Sequence, residues 1–300
     1  MKKEMVGSLP LYLTGPTGVG KSGVAMALAK ALGDVELING DAFQLYRGFP
    51  LITACPSQED RESVTHHLYE VLDPEEVCDV GRYRELALGA IADIRQRGKR
   101  ALIVGGSGLY LKGLTHGLGD VPEQDPVLRA ELDGWTLEAI CEQLREVDPE
   151  SLASIEGPNR RYLQRALEIF RQTGTPASQV RTSWKESPVG LVGFLLFRDR
   201  AELTKRIDAR VKTMWEEGAA EEVLAVPRWS ATSEKAIGVR EILAWGQGRM
   251  STEECISQIQ QASRRYAKRQ MTWFRRESWL QKIKVEEGED MASIVRQLHA

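Results

Sequence analysis

Residues 15–22 read GPTGVGKS, and this stretch decides the fold class of the chain. It matches in full the pattern GxxxxGK[ST] of a loop that holds phosphate groups. The apolar run Leu9–Thr14 before it predicts a short buried strand, and Lys21–Leu32 after it predicts a helix. Such a turn directs backbone N–H groups and a helix N-terminus toward an anion. The diphosphate-binding residues that we predict are Gly15, Pro16, Thr17, Gly18, Val19, Gly20, Lys21 and Ser22.

Two side chains of this loop carry specific chemistry. Lys21 supplies a full positive charge for phosphate oxygens, and the hydroxyl of Ser22 is a ligand for Mg²⁺, which we expect as a cofactor. The motif indicates a polyphosphate ligand, and it leaves open whether that ligand is ATP, GTP or another diphosphate.

Alternation of strands and helices continues beyond the loop. Val35–Asn39 predicts a second strand, and Gly81–Arg97 predicts a helix that ends at Gly98, a suitable C-cap. Ala101–Val104 is a β-rich run that predicts a third strand. This alternation is typical of an α/β fold with a P-loop NTPase-like parallel sheet flanked by helices.

The character of the sequence changes near residue 116. Gly117 to Pro126 is rich in Gly, Pro and Asp, and only helical patterns follow up to about residue 187. Leu191–Phe197 is again strand-like, and helices resume near Arg200. We therefore predict a catalytic core of residues 1–116 and 189–300 with an all-helical insertion domain at 117–188. The helical stretches of the insertion are Leu128–Leu132, Leu137–Val147 and Arg160–Gln172.

The overall composition is that of an ordinary globular protein. Hydrophobic residues make up 42% and charged residues 28%, and the formal net charge is −3. Any contact with nucleic acid must therefore come from a local basic surface. The cysteines at 55, 78, 141 and 255 lack metal or redox spacing, and no run is long enough to span a bilayer. We expect free thiols and a cytoplasmic location.

Polar residues follow the second and third predicted strands, at the ends where open α/β sheets bind ligands. Asp41 is suited to act as a general base or to hold a metal-bound water, and the alternative is a helix N-cap or turn aspartate. Gln44 and Tyr46 lie close by in sequence and are able to read a polar substrate edge. In the segment Gly105–Tyr110, Ser107 is placed to donate to a phosphate oxygen, although a plain tight turn is an equal alternative.

A basic segment lies near the end of the chain. Between Arg264 and Lys284 there are eight Lys or Arg residues and one acid, Glu277, with aromatic residues interleaved. Basic side chains pair with RNA phosphates and aromatic rings stack on bases, but a solvated helix face would have the same composition. The aromatic residues are Tyr266, Trp273, Phe274 and Trp279, and a second basic cluster on the insertion comprises Arg160, Arg161, Arg165 and Arg171.

Together these motifs resemble the bacterial tRNA dimethylallyltransferases, also named tRNA delta(2)-isopentenylpyrophosphate transferases. The resemblance covers nearly the whole chain in the family's order, and DAFQLYRG at 41–48 looks like its DSxQxYRG block. The other similar segments are His66-His67-Leu68 (HHL), Gly105–Tyr110 (GGTGLY), Arg165–Glu168 (RALE), Arg200–Arg210 (RxxLxxRIxxR), Ala236–Glu241 (AIGYRE) and Tyr266–Arg275 (YAKRQxTWFR).

The resemblance implies transfer of a dimethylallyl group from dimethylallyl diphosphate to N6 of adenosine 37 in tRNA, by a monomer that needs Mg²⁺ and no membrane. The target base would leave its stack, and Asp41 would accept a proton from its amine. The implied catalytic residues are Asp41, Arg210, Ser107 and Lys21. The implied tRNA-binding residues are Asp41, Ala42, Phe43, Gln44, Ser107, Arg161, Arg165, Arg240, Lys268 and Arg269.

Some positions depart from the family's pattern. Ala42 replaces a Ser, Ile52 a Gly, Cys55 a Lys and Val239 a Tyr. The change at Cys55 removes a cation near the expected phosphate and RNA site.

Three other functions share part of the pattern. A small-molecule kinase would use the phosphate loop and Mg²⁺, but it has no use for the basic tail or the insertion. An enzyme that prenylates free adenine nucleotides has no need for that tail either. An RNA-binding protein without activity would not need Lys21, Asp41 and Arg210 together.

Overall fold

Six strands form one sheet within the residues that this computed structural model describes, which are 9–118, 121–153, 159–180 and 190–299. The strands are β1 (Leu11–Thr14), β2 (Val35–Asn39), β3 (His66–His67), β4 (Arg100–Gly105), β5 (Val192–Phe197) and β6 (Leu280–Lys284). Their order is β3-β2-β4-β1-β5-β6, and every neighbouring pair is parallel. The parallel sheet confirms the predicted α/β fold class.

Helices connect and cover these strands. Those before residue 120 are α1 (Lys21–Leu32), α2 (Pro50–Thr53), α3 (Gln58–Ser63), α4 (Val80–Gln96) and α5 (Gly108–His116). Those before β5 are α6 (Pro126–Asp133), α7 (Leu137–Val147), α8 (Pro149–Ala153), α9 (Arg160–Thr173) and α10 (Ala177–Val180). Those after β5 are α11 (Arg200–Glu216), α12 (Ala219–Ala225), α13 (Val239–Gly246), α14 (Thr252–Phe274) and α15 (Met291–His299). Among these described helices, none is both long and apolar enough to cross a bilayer.

The chain falls into two compact units. The first lies within Met1–Leu114 and Pro188–Ala300, and the second within Thr115–Ser187. In the first unit, alternate residues of the strands face different apolar clusters. Tyr12 packs in one cluster with Tyr83 of α4, and Leu13 packs in the other with Val24 of α1. Both faces of the central strands are therefore buried, which explains their continuous apolar runs.

The carboxyl ends of the parallel strands place three polar segments at one edge of the sheet. Residues 15–22 follow β1, Asp41 follows β2 and Ser107 follows β4. The turn after β2 is fixed to β4, because the Gly40 N–H donates to the Val104 carbonyl at 2.8 Å. The segments that the sequence analysis singled out therefore share this edge.

Several predicted elements have the bounds that the sequence indicated, namely α1, β2 and α7. β1 begins at Leu11 and not at Leu9, because Pro10 has no N–H to donate to a neighbouring strand. α4 ends at Gln96, and Gly98 follows in the left-handed region with φ 71°. The strand β6 and the helix α15 were not predicted, and β6 lies inside the segment interpreted as a basic tail.

The second unit has its own apolar core and one buried acid. Its core includes Leu132, Ile140 and Leu163, which come from α6, α7 and α9. Glu168 is fully buried, and its Oε1 accepts a hydrogen bond from the Asp125 N–H at 3.0 Å. The described residues of this unit contain helices and no strand.

Glu36 of β2 is a buried carboxylate surrounded by basic groups. It is 2% exposed, and it lies 2.6 Å from Nη2 of Arg97, 2.7 Å from Nε2 of His67 and 2.9 Å from Nζ of Lys99. Burial alone would raise the pKa of Glu36. The hydrogen bonds from Arg97, His67 and Lys99 outweigh burial and lower the pKa to about 2.

We expect Glu36→Gln to lower the free energy of unfolding at pH 7 by about 1.5–3 kcal/mol, because three hydrogen bonds to a charge are weakened. A carboxyl with a lowered folded pKa stabilises the protein above its unfolded pKa and loses this effect as pH falls through the folded value. The difference between variant and wild type should therefore shrink from about pH 4.5 toward pH 2. Urea unfolding across this pH range measures it.

Asp34→Asn is a suitable control, because Asp34 pairs with Arg100 at 2.7 Å and its side chain is 49% exposed. A surface pair of this kind contributes at most about 1 kcal/mol. Equal stability of wild type and Glu36→Gln at pH 7 would contradict the prediction.

Candidate functional site

The phosphate loop has backbone conformations that favour glycine. Gly18 and Gly20 have φ values of 80° and 107°, in the left-handed region. A side chain on Gly15 would place its Cβ 2.7 Å from the carbonyl oxygen of Leu196. α1 begins directly after Gly20 without a side-chain cap, so its first N–H groups remain available to an anion.

Four carbonyl oxygens of the loop accept hydrogen bonds from cationic side chains. The contacts are Lys21 Nζ to Gly15 O (2.9 Å) and Pro16 O (3.0 Å), Arg206 Nε to Gly18 O (2.9 Å), and Arg198 Nε to Val19 O (2.9 Å). No role at the site was predicted for Arg198 or Arg206 from the sequence. Arg206 stands in the RxxLxxRIxxR pattern, but a pattern does not show which backbone atoms it binds.

A cavity of about 450 Å³ lies over the loop. Its charged lining consists of Lys21, Arg206 and Arg210 and one carboxylate, Asp41. Nη1 of Arg210 lies 3.4 Å from Oγ1 of Thr17, at the start of the loop. Three cations around one space favour a ligand that carries more than one negative charge.

Burial changes the ionisation of two of these cations. It lowers the pKa of Lys21 to about 8, while Asp41 acts in the opposite direction and Arg210 adds to the lowering. Burial also lowers the pKa of Arg210, which Asp41 again opposes. Both cations have lost part of their water, and an anionic ligand would stabilise them.

Asp41 lies on the turn after β2 and lines the cavity. Its Oδ1 accepts a hydrogen bond from the Phe43 N–H at 3.1 Å, and its Oδ2 accepts none from the described residues. Burial raises the pKa of Asp41, although the Phe43 N–H, Lys21 and Arg210 oppose this. Asp41 therefore has the turn role that was considered from the sequence. Its Oδ2 is also free, and a carboxylate with a raised pKa is suited to accept a proton.

Ser107 connects the second glycine-rich turn to the turn of Asp41. Its Oγ accepts a hydrogen bond from the Ala42 N–H at 2.8 Å, and its own N–H donates to the Gly40 carbonyl at 3.2 Å. Burial raises the pKa of Tyr266, and Ser107 is among the groups that oppose this. Contact between Ser107 and a phosphate stays a prediction.

Gln44 has a structural role that the sequence did not indicate. Its Nε2 donates to the carbonyls of Thr53 at 3.0 Å and Ala54 at 2.7 Å. Both amide hydrogens therefore bind the C-terminal end of α2, and only Oε1 is left for a substrate. Tyr46, the other polar side chain considered nearby, is buried, and its hydroxyl lies 2.7 Å from Oγ1 of Thr232.

A smaller, mostly apolar cavity of about 70 Å³ adjoins the first. The two cavities share Thr17, Asp41, Thr53 and Arg210. A ligand with a charged end and an apolar end would fit across both, with Asp41 beside their junction. The apolar lining of the smaller cavity comprises Phe43, Ile52, Ile207, Val211, Met214, Ala236, Ile237 and Ile259.

Gln270 of α14 is a buried polar residue at this edge, and no role was predicted for it from the sequence. The Thr17 N–H donates to its Oε1 at 2.8 Å, and its Nε2 donates to the Gly106 carbonyl at 3.0 Å. It belongs to the YAKRQ segment, but no local pattern indicates partners so far away in sequence.

The basic residues of α14 lie on its surface. Lys268 and Arg269 are exposed, and the guanidinium of Arg269 lies 5.6 Å from the ring centroid of Tyr266. Trp273 is 37% exposed and covers Gly108, where a Cβ would lie 2.4 Å from the indole. These side chains are accessible to a large partner.

The other arginines predicted to bind RNA differ in accessibility. Arg240 of α13 is exposed and lies 3.3 Å from Glu234. In the second unit, Arg161 is exposed, whereas Arg165 is mostly buried and lies 2.7 Å from Glu168. Arg165 also donates to the Pro122 carbonyl, so its guanidinium already has structural partners.

The donor set at the loop fits a magnesium ion that shares phosphate ligands. Among the described residues, no group of three or more His, Cys, Asp or Glu side chains is placed to hold a metal alone. Ser22 and Asp41 both line the larger cavity, and Mg²⁺ needs only one or two protein oxygens when phosphates and water supply the rest.

The four cysteines are free thiols, which confirms the expectation from their spacing. Cys55 lies beside Gln44, with its Sγ 3.8 Å from the Gln44 carbonyl. Burial raises the pKa of Cys55 to about 12, so the thiol is neutral and does not replace a cation.

Sequence comparison finds relatives over nearly the whole chain. The family described as IPP transferase matches residues 44–277. A tRNA dimethylallyltransferase of Akkermansia muciniphila is 42% identical over 275 residues, which are 92% of this chain and 93% of that protein. The tRNA dimethylallyltransferase 1 of Citrifermentans bemidjiense is also 42% identical, over 280 residues that are 90% of this chain and 91% of that protein.

Solved structures have the same fold. The tRNA isopentenylpyrophosphate transferase of Bacillus halodurans superposes with a TM-score of 0.69 at 33% identity, covering 97% of this chain and 96% of that one. A eukaryotic dimethylallyltransferase acting on tRNA superposes with a TM-score of 0.80 at 26% identity, covering 96% of this chain and 76% of that one.

We expect Lys21→Met to weaken the binding of inorganic diphosphate roughly 10- to 100-fold at pH 7, the range for a hydrogen bond to a charged group. Because the pKa of Lys21 is about 8, the ammonium loses its proton as pH rises above this value. The difference in affinity between wild type and variant should therefore shrink from pH 8 upward. Titration calorimetry between pH 7 and pH 9.5 measures both effects.

Lys30→Met is the matched control, because Lys30 lies exposed in the last turn of the same helix. It should leave the affinity unchanged. Equal affinity of Lys21→Met and wild type at pH 7 would exclude Lys21 from the diphosphate site.

Proposed function

Because this chain belongs to the IPP transferase family, we propose that it transfers a dimethylallyl group from dimethylallyl diphosphate to N6 of adenosine 37 in tRNA. The products are N6-isopentenyladenosine and diphosphate. The observation that carries this proposal is the meeting of a cationic cavity and an apolar cavity at Asp41. The cationic cavity suits a leaving diphosphate, and the apolar cavity suits uncharged groups.

The phosphate loop stabilises the leaving group. As the bond between C1 of the donor and its oxygen breaks, the electron pair goes to diphosphate, and negative charge grows there. Lys21 and Arg210 are partly desolvated cations in the same cavity, so their interaction with this charge is stronger than in water. Ser107 and the free N–H groups of the loop would add hydrogen bonds.

Asp41 acts on the nucleophile. The exocyclic amine of adenine is weakly nucleophilic, and its attack on C1 of the donor requires the loss of one N6 proton. Asp41 would accept that proton on Oδ2, while Oδ1 keeps its bond to the Phe43 N–H. The raised pKa makes the carboxylate a stronger base than an exposed aspartate.

Mg²⁺ would be held by the hydroxyl of Ser22 together with phosphate oxygens. When bound, it would neutralise charge on the diphosphate. The phosphate loop, Lys21 and Arg210 would orient the donor with or without the metal ion.

RNA would contact the exposed basic residues and place its unstacked adenine at the site. Lys268, Arg269 and Arg240 would bind backbone phosphates from the first unit, and Arg161 from the second. Ala42, Phe43 and Gln44 would contact the flipped base, with Gln44 restricted to its Oε1. Arg165 contributes by holding the helical unit together.

The other functions considered make different demands. A small-molecule kinase would consume ATP, and it would have no use for exposed cations on α14 or for an apolar cavity beside the acid. A nucleotide prenyltransferase would accept free AMP, ADP or ATP. An assay of prenyl transfer to an anticodon stem-loop, run with and without ATP and with AMP as competitor, distinguishes all three.

We expect Asp41→Asn to reduce turnover by about two to four orders of magnitude, in line with the loss of a general base. The asparagine keeps an oxygen for the Phe43 N–H, so the turn is preserved. Turnover of the wild type should fall as pH falls through the raised pKa of Asp41, because only the carboxylate accepts a proton. The measurement is transfer of a labelled five-carbon unit to a stem-loop bearing A37.

Asp93→Asn serves as the control, because Asp93 is exposed on α4 away from the sheet edge. It should retain full turnover. An Asp41→Asn enzyme as fast as wild type would show that another group is the base.

We expect the double variant Lys268→Ala/Arg269→Ala to bind the stem-loop more weakly and with less salt dependence. The slope of log K against log salt concentration should fall by about 1.5, because two phosphate contacts are lost. Affinity for the donor should not change. The control variant Lys30→Ala/Arg95→Ala removes two exposed cations elsewhere on the surface and should leave the slope unchanged. An unchanged slope in Lys268→Ala/Arg269→Ala would mean that the RNA binds another surface.

A further inference from the structure

Gln270 joins Thr17 and Gly106, which lie on two turns that are far apart in the sequence. It is 4% exposed, and it is neither charged nor part of the cavity lining. Its amide accepts one hydrogen bond from Thr17 at 2.8 Å and donates one to Gly106 at 3.0 Å. Both ends of the amide are therefore used, and the side chain cannot turn over without losing both bonds.

Each partner of Gln270 is attached to one half of the reaction site. Thr17 is the third residue of the phosphate loop, lines both cavities and contacts Arg210 through its Oγ1. Gly106 precedes Ser107, whose Oγ binds the N–H of the residue after Asp41. The Gln270 amide thus connects the phosphate loop to Gly106, and through Ser107 to the turn that carries Asp41.

The space between the two turns accommodates only this amide. A Cβ on Gly106 would lie 2.1 Å from Nε2 of Gln270 and 3.2 Å from the Gly15 carbonyl oxygen. Glycine at position 106 is therefore required by the close approach of the Gln270 side chain. Loss of the amide would remove both of these hydrogen bonds between α14 and the two turns.

We propose that Gln270 is a positioning residue, which fixes the phosphate loop and the Asp41 turn relative to each other so that diphosphate departure and proton removal occur in one geometry. This inference rests on the proposed function. Because Gln270 lines neither cavity, it would act without touching the substrate. It acts through Thr17 on one side and through Gly106 and Ser107 on the other.

The test compares Gln270→Met with wild type. Methionine keeps the volume of the side chain and loses both hydrogen bonds. A displacement of about 1 Å between reacting groups costs on the order of 100-fold in rate, so kcat should fall about 10- to 100-fold. Each half of the site remains intact, so the KM for dimethylallyl diphosphate and the Kd for inorganic diphosphate should change less than about threefold.

Gln164→Met is the matched control for loss of stability. Gln164 is also a buried glutamine, 3% exposed, and its Nε2 donates to Asp133 Oδ1 at 2.7 Å in the second unit. Thermal melts should show similar destabilisation of both variants, with kcat unchanged in Gln164→Met. If Gln270→Met is destabilised to the same extent and keeps the kcat of wild type, its role is structural only and the inference is wrong.

Gly106→Ala provides a second route to the same contact. This substitution keeps the Gln270 side chain but displaces its amide, so kcat should again fall with little change in KM. In the double variant Gly106→Ala/Gln270→Met the two losses should not multiply, because both remove one interaction. Full multiplication of the losses would overturn the inference.

Absence of prenyl transfer by the wild type would instead reject the proposed function, whereas diphosphate binding would still report on the loop.

Discussion

The phosphate loop keeps its shape because basic side chains bind its carbonyl oxygens. Arg206 and Arg198 hold the carbonyls of the central residues, which leaves the amides of the turn on the cavity side. Arg206 and Arg210 stand one helical turn apart on α11, so the helix that shapes the loop also supplies a cation to the cavity. The parallel sheet then sets Asp41 at the same edge, because β1 and β2 both end there.

Burial shifts the pKa values of Lys21 and Asp41 in opposite directions. The pKa of Lys21 falls and that of Asp41 rises, each opposed by the charge of the other. The charges of Lys21 and Asp41 are therefore partly desolvated, and each stabilises the other. Under the proposed function, a diphosphate ester would pair with the cations, and the apolar cavity beside Asp41 would keep the reacting carbon away from water.

Much of the fold was predictable because it depends on local patterns. The phosphate loop, α1 and β2 follow from glycine spacing and apolar periodicity over a few residues. In β6 only Leu280 and Ile283 are buried, so its pattern is too weak to separate a strand from a basic tail. The roles of Arg198 and of Gln44 depend on carbonyl groups that the fold brings near, and no residue pattern encodes a backbone carbonyl. The positions of Asp41 and Ser107 were predictable, whereas their hydrogen bonds were not.

The hydrogen bond from Thr17 to Gln270 closes a loop of 253 residues. During synthesis the glycine-rich motif leaves the ribosome early, and α14 follows only when most of the chain has been made. Until then the nascent protein contains the complete motif and lacks the side chain that secures it. A truncated product that ends before residue 252 would be recognised by any motif search as a phosphate-binding protein, yet its loop would have lost the amide that fixes Thr17.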